Sequence, residues 1–458
     1  MRRSASEAPV STDAGRRADV RGRRGAGRLA DVLAALVPVG LFAVAAVTGA
    51  VLRLSGRRVG AGAAPVFANW LPHLGLGTPA ALAVAAAVVW QGPRLAATLR
   101  WRTLLAAGYA TAVAWALGLA LVDGWQRGLA GRLITRHEYL SEVAGVADVP
   151  AMLRGFTGRI LDLQPDSWTT HVAGHPPGAL LVFVALDRIG LGGGGWAALA
   201  CVLAGASIAL SVPATVRALR DEAAARAVVP FAVLFPGAVW IGASADGLFA
   251  GVTAAGVALM AVAARRPLVA VAARRGAGAA AGVAGGVLLG FGAYLSYGLV
   301  LMLPVVLVVT GRHLRGLLYV AIGAIAVAAC FTAAGFWWLD GYHLVVQRYY
   351  QGIASDRPYG YWVWANLALI GACAGPAAGV IVRRAVATRQ LLPLAALAAM
   401  LAADVSGLSK AEVERIWLPF TVWLVAGASL IPARDRRPWL AVQAATALLL
   451  NHLLLTTW

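Results

Sequence analysis

The densest run of side chains able to do chemistry begins at Thr135-Arg136-His137-Glu138-Tyr139-Leu140 and Glu142, continues through Asp148, Asp162 and Asp166, and ends in Thr170-His171-Val172-Ala173-Gly174-His175-Pro176-Pro177-Gly178. A carboxylate there can take a proton, and rigid prolines fix the imidazoles next to them. Most of these acids also suit a solvated loop with capped helices. Glu138 is the exception, because it falls just past an apolar run and within reach of a membrane surface, with His137 beside it. His171 and His175 are four apart, a spacing that can put two imidazoles on one helix face for a metal, although Gly174 and the prolines interrupt such a helix. Hydrogen bonding of these histidines to a phosphate or a sugar is the reading preferred here.

Three further segments carry polar chemistry. Asp246, in Ala243-Ser244-Ala245-Asp246-Gly247-Leu248-Phe249, interrupts apolar sequence, so it either marks an Asp-Gly turn at the water interface or has a functional partner. The segment Asp340-Gly341-Tyr342-His343, Gln347-Arg348-Tyr349-Tyr350-Gln351 and Asp356-Arg357-Pro358-Tyr359 mixes aromatics with arginine. That mixture suits an interfacial belt, and equally the stacking of a sugar beside a phosphate. Ser409-Lys410-Ala411-Glu412-Val413-Glu414-Arg415-Ile416-Trp417 packs four charges just before an apolar run and holds the sole lysine among 39 basic residues. Lys410 and Glu414 are spaced for an ordinary i,i+4 ion pair; alternatively, Lys410 or Arg415 neutralises a phosphate leaving group. Gly190 to Gly195 reads as a connector, since no Gly-Lys-Ser/Thr follows, and Cys201, Cys330 and Cys373 lie in apolar sequence as packing residues.

The elements that must position these residues are membrane spans. The chain is 60% hydrophobic and 13% charged, where a soluble domain carries about 25% charged residues, which excludes an ordinary soluble protein. Apolar runs at 29–52, 76–91, 103–122, 197–216, 227–243, 247–264, 277–294, 296–311, 315–337, 363–382, 391–405, 416–432 and 438–457 predict an all-α polytopic protein of about 13 transmembrane helices. Residues 1–28 read as a disordered basic cytoplasmic tail and 29–458 as a single transmembrane domain. With the tail inside, the clusters at 94–102, 217–226, 265–275, 312–315, 383–384 and 434–437 also fall inside, provided 176–189 is a re-entrant or interfacial helix. The formal charge of +19 is then mainly a record of orientation in a cell membrane, with no nucleic-acid partner. The same assignment gathers 123–196, the tip near Asp246, the turn at 294–297, the loop 338–362 and 406–415 on the extracytoplasmic face.

A loop acid after an early span, a His-Pro-Pro step opening the next apolar helix, an arginine-bearing cytoplasmic turn and an apolar run ending in Ser-x-Asp-x-Leu-Phe resemble the GT-C membrane glycosyltransferases over about residues 132–265. The pattern is most similar to the protein O-mannosyltransferase and aminoarabinose transferase branch. The resemblance implies a GT-C-like helical bundle and a polyprenyl-phosphate sugar donor. It gives Glu138 the acidic role at the acceptor, with His137 where the family often has Asp, and puts His175, Pro176 and Pro177 near the lipid phosphate. Gly178 stands where leucine is usual, and two spans precede the span that leads into the acidic loop, where the family often begins with one.

The expected function is inverting transfer of a sugar, mannose or a pentose, from a polyprenyl-phosphate carrier to an extracytoplasmic glycan, lipid or protein. Glu138, His137 and Asp246 are the expected catalytic residues; His171, His175, Arg348, Tyr349, Lys410 and Arg415 are expected to bind the donor's phosphate and sugar. No metal ligands are assigned and a divalent cofactor stays open. The rival readings are a lipid or small-molecule transporter that makes and breaks no bonds, which favours charges midway through spans, and a non-catalytic subunit for polymer export.

Overall fold

The computed structural model describes residues 12–242, 244–265, 272–311 and 314–456. Each of the thirteen apolar runs carries helix, but among the described residues seven helices are long and apolar enough to cross a membrane, or eight if one bent pair counts as a span. The seven contain Gly25–Leu54, Thr78–Thr98, Trp101–Ala120, Gly194–Leu219, Ala245–Ala264, Gly276–Leu295 and Leu314–Ala333; the bent pair is Tyr359–Cys373 with Ala377–Thr388, turned by 100°. The chain is thus an α-helical integral membrane protein.

Within the other apolar runs, local breaks that hydropathy does not register divide the helices into shorter pieces, among them the apolar helices Tyr297–Thr310, Leu391–Val405 and Leu418–Leu430. Ser296 is extended, and a 3-10 segment, Tyr297–Met302, precedes Leu303–Thr310. Pro236 opens a second 3-10 segment after the helix Glu222–Val233. At about 1.5 Å per residue, a 15-residue helix such as Leu391–Val405 covers about 22 Å of a hydrocarbon layer of about 30 Å. The first helix also differs from expectation, running from Thr12 to Leu54, so the backbone of 12–28 is helical where a disordered tail was expected. Alanine and arginine are strong helix formers, and the apolar run downstream supplies the nucleus. Residues 1–11 lie outside the described residues.

Contacts sort the polar segments into two groups. At one end, Arg383 and Arg384 both hold Asp31, Arg28 pairs with Asp435, and Arg226 donates to the carbonyls of Ala96 and Leu99 at 2.8 Å each. These arginines belong to the set expected inside. At the other end, the loop 123–196 meets the segments around Asp246, Tyr294, 338–362 and 406–415. The loop after the first helix joins this second group where the Phe67 amide donates to Glu414 at 2.7 Å, and its strand Ala68–Trp70 pairs antiparallel with Leu454–Thr456.

The 176–189 segment is a 12-residue helix, Pro177–Arg188, opened by Pro177 in its first turn and about 18 Å long, too short to cross. Arg188 donates to the carbonyl of Ala147 at 2.9 Å, which fastens its far end to the same loop. Its start lies so close to the end of the helix Ala272–Leu295 that a Cβ on Gly178 would stand 2.4 Å from the carbonyl oxygen of Tyr294. This contact explains a glycine where the GT-C pattern has leucine. Gly178→Ala must push two backbones apart and is expected to destabilise the protein by about 1–3 kcal/mol. A thermal-unfolding midpoint in detergent equal to that of the unmodified protein would contradict the close approach.

Candidate functional site

Four of the expected residues form one continuous chain of contacts. Glu138 Oε1 stands 2.8 Å from Nδ1 of His171, whose Nε2 is 3.2 Å from Nη2 of Arg415. Arg415 donates from Nη1 to Asp246 at 2.7 Å and from Nη2 to Glu412 at 2.7 Å. All four expected members are nearly dry: Glu138 and Arg415 are 5% exposed, His171 7% and Asp246 4%. Nε2 of His171 faces the Arg415 guanidinium and is the nitrogen placed to accept from it, which leaves Nδ1, beside Glu138, to carry the ring proton.

The charges hold one another in place. Burial works against the Arg415 guanidinium, but Asp246 and Glu412 outweigh it and raise its pKa, so it stays protonated. Burial likewise works against the Glu412 carboxylate, and Arg415 with Arg357 pulls its pKa below the ordinary value. Asp246 lies in the first turn of the helix Ala245–Arg265, where a carboxylate also meets the positive end of the helix dipole. Arg415 occupies the centre of Glu138, His171, Asp246 and Glu412, where a cation shared by these acids would sit. Among the described residues no three His, Cys, Asp or Glu side chains are grouped to hold a metal ion.

The chain of contacts extends to Lys410. The second oxygen of Glu412 accepts from Arg357 Nη2 at 2.7 Å, and Arg357 Nη1 donates to the carbonyl of Lys410 at 2.7 Å. The Lys410 ammonium sits 5.2 Å from the ring centre of Tyr350 and 5.9 Å from that of Tyr349. Among the described residues no carboxylate pairs with it. Burial first, and the Arg357 charge second, lower its pKa.

The remaining expected residues take other places. His171 and His175 do not share a helix, because Thr170–Ala173 ends before Gly174. Their rings are 6.5 Å apart, and Nδ1 of His175 lies 2.8 Å from the carbonyl of His171 and 2.9 Å from Tyr139 Oη. Burial pushes His175 down to about 4, so the ring is neutral near pH 7, while burial of Tyr139, with the Glu138 and Asp246 charges, keeps its phenol protonated. The ring of His137 turns to Arg136 and Thr170, at 3.0 and 3.3 Å, and only its carbonyl joins the centre, accepting from the His171 amide at 3.0 Å. Arg348 pairs with Asp162 at 2.5 Å and so ties the helix Trp338–Gln351 to the long loop.

The i,i+4 pairing of Lys410 with Glu414 does not form. Ala411 and Glu412 have φ of 66° and 64°, so no helix joins 410 to 414, and the helix there is only Val413–Ile416. Glu414 instead turns inward, accepting from the Phe67 amide at 2.7 Å, and burial pushes its carboxyl up to about 7. Arg357, Glu412 and Tyr139 enter the centre without having been singled out by type and spacing. Arg357 and Glu412 lay among other charges whose directions only the folded backbone decides; Tyr139 adjoined Glu138, which was the available signal.

No protein-family model matches the chain, and no curated protein matches it. Among solved structures it is similar to ArnT from Cupriavidus metallidurans in the apo state, with 19% identity, a TM-score of 0.48 and 77% of each chain covered. It is similar also to the same protein bound to undecaprenyl phosphate, with 18% identity, a TM-score of 0.47 and 76% of each chain covered. ArnT is an aminoarabinose transferase. The two likenesses concern overall shape and leave the reaction of this chain to its own residues.

Proposed function

We propose that the protein transfers a glycosyl group from a polyprenyl-phosphate carrier to an acceptor on the extracytoplasmic face, and that Glu138 and Lys410 divide the chemistry. The observation that supports this reading is a buried acid, Glu138, joined by an unbroken chain of contacts to the backbone of Lys410, a cation with no carboxylate partner among the described residues. Glu138 and Lys410 are linked through His171, Arg415, Glu412 and Arg357 at one end of a membrane-crossing bundle. A carrier with an isoprenoid tail and a headgroup phosphate needs such a cation at the headgroup level, beside apolar helices.

In the proposed reaction an acceptor hydroxyl attacks the anomeric carbon and the bond from that carbon to the phosphate oxygen breaks. The electron pair of that bond leaves with polyprenyl phosphate, and configuration inverts. The acceptor's proton passes to Glu138, whose carboxylate is the one acid of the cluster with no direct arginine partner among the described residues. Lys410 neutralises the departing phosphate. Arg415 is already committed to Asp246, Glu412 and His171, so its role is to hold these groups in register. Asp246 is its counter-charge.

This division predicts that Lys410→Ala weakens binding of undecaprenyl phosphate to the purified full-length protein about tenfold or more, the scale of one lost charge-assisted hydrogen bond. Equal affinity of the variant and the unmodified protein would remove Lys410 from the phosphate site.

A further inference from the structure

Lys410 lies in a stretch with neither helix nor strand, between Leu391–Val405 and Val413–Ile416, yet it is 7% exposed. Backbone amides and carbonyls buried in such a stretch need partners from elsewhere. Side chains of three other residues supply them. Asn366 Nδ2 donates to the carbonyl of Ser409 at 2.8 Å, Tyr349 Oη accepts from the Lys410 amide at 2.8 Å, and Arg357 Nη1 donates to the Lys410 carbonyl at 2.7 Å. The peptide groups on both sides of Lys410 are therefore held from outside.

The conformation that follows is costly and is maintained by the same residues. Two consecutive residues, Ala411 and Glu412, sit in the left-handed region, which side chains other than glycine rarely adopt. Arg357 bridges the Lys410 carbonyl to the Glu412 carboxylate across this turn. Asn366 is 1% exposed in the helix Tyr359–Cys373, and its Nδ2 also donates to Asp404 at 2.9 Å. Among the described residues its side-chain hydrogen bonds go to Asp404 and to the Ser409 carbonyl, so it meets the site through the 409–410 backbone. Burial pushes the Tyr349 phenol up to about 12, so its oxygen remains a neutral acceptor for the Lys410 amide.

We infer that Asn366 and Tyr349, together with Arg357, are positioning residues that set carrier affinity by fixing the Lys410 backbone and so aiming its ammonium at the carrier phosphate. The inference rests on the reading of Lys410 as the phosphate anchor. It gives Tyr349 a role through its hydroxyl and Lys410 that differs from stacking on the sugar.

The test is a double-variant cycle on full-length protein in nanodiscs, read as affinity for radiolabelled undecaprenyl phosphate. Asn366→Leu keeps the shape and removes the donor; Tyr349→Phe keeps the ring and removes the acceptor, and serves where Asn366→Leu fails to fold. Each single variant is expected to bind about tenfold more weakly, the scale of one buried hydrogen bond. In a Lys410→Ala background the same changes are expected to alter affinity less than twofold, since the group they aim is gone. Effects that multiply fully in the double variants would overturn the inference while leaving Lys410 as the anchor. A Lys410→Ala protein that binds as the unmodified one does would overturn the anchor reading itself, and the positioning role with it.

Discussion

Arg415→Met is expected to cost about 3–5 kcal/mol of stability and to abolish activity, the largest effect of any single substitution in this site. The guanidinium is 5% exposed and faces Asp246, Glu412 and His171 at 2.7, 2.7 and 3.2 Å. Removing it leaves buried carboxylates facing one another without a shared counter-charge. Arg415→Lys retains the charge but cannot present the planar fork that serves Asp246 and Glu412 together, so only partial recovery is expected. Neutralising the freed partners, as Asp246→Asn with Glu412→Gln in the Arg415→Met background, is expected to restore stability but not turnover. Thermal unfolding in detergent reads the first effect. An unfolding midpoint unchanged in Arg415→Met would mean that the cluster does not depend on its central cation.

Glu138→Gln is expected to separate fold from chemistry. The amide fills the same volume and can still accept from Nδ1 of His171, so the unfolding midpoint stays near that of the unmodified protein. It cannot take a proton, and turnover is expected to fall by about 10²–10⁴. Because Glu138 is assigned to the acceptor and Lys410 to the phosphate, affinity for undecaprenyl phosphate is expected to stay unchanged. Loss of carrier affinity along with turnover would place Glu138 on the donor instead.

The two charged ends of the bundle were legible in the sequence because the cost of placing a charge in hydrocarbon confines it to the few breaks between apolar runs. Glu138, His171, Asp246 and Arg415 stood out for that reason, although 33 to 169 residues separate consecutive members of this set. Their pairing was not legible. At 410–415 helical spacing suggested Lys410 with Glu414, but the left-handed pair at Ala411 and Glu412 rotates the register, sending Glu412 to the arginines and Glu414 to the Phe67 amide. The separation of His175 from His171 was legible, because Gly174 and the prolines interrupt the helix their spacing would share. The breaks inside the apolar runs were not legible: hydropathy records apolar length, whereas Ser296, Pro236 and the 100° bend after Cys373 are decided by backbone geometry.

A transporter would carry its charge where the substrate crosses, midway along the spans. Asp246, the one member of the central cluster on a long membrane-crossing helix, occupies that helix's first turn. Bond cleavage is therefore the most direct discriminator. The deciding measurement presents purified protein in nanodiscs with polyprenyl-phosphate sugars radiolabelled in the sugar, mannose and pentoses among them, together with a membrane extract as acceptor. Label is expected to leave the carrier and appear in an acceptor for at least one donor, with free polyprenyl phosphate produced in equal amount, and Glu138→Gln is expected to lower both by about 10²–10⁴. Intact labelled carrier crossing the bilayer of proteoliposomes, with no polyprenyl phosphate released from any donor, would contradict this.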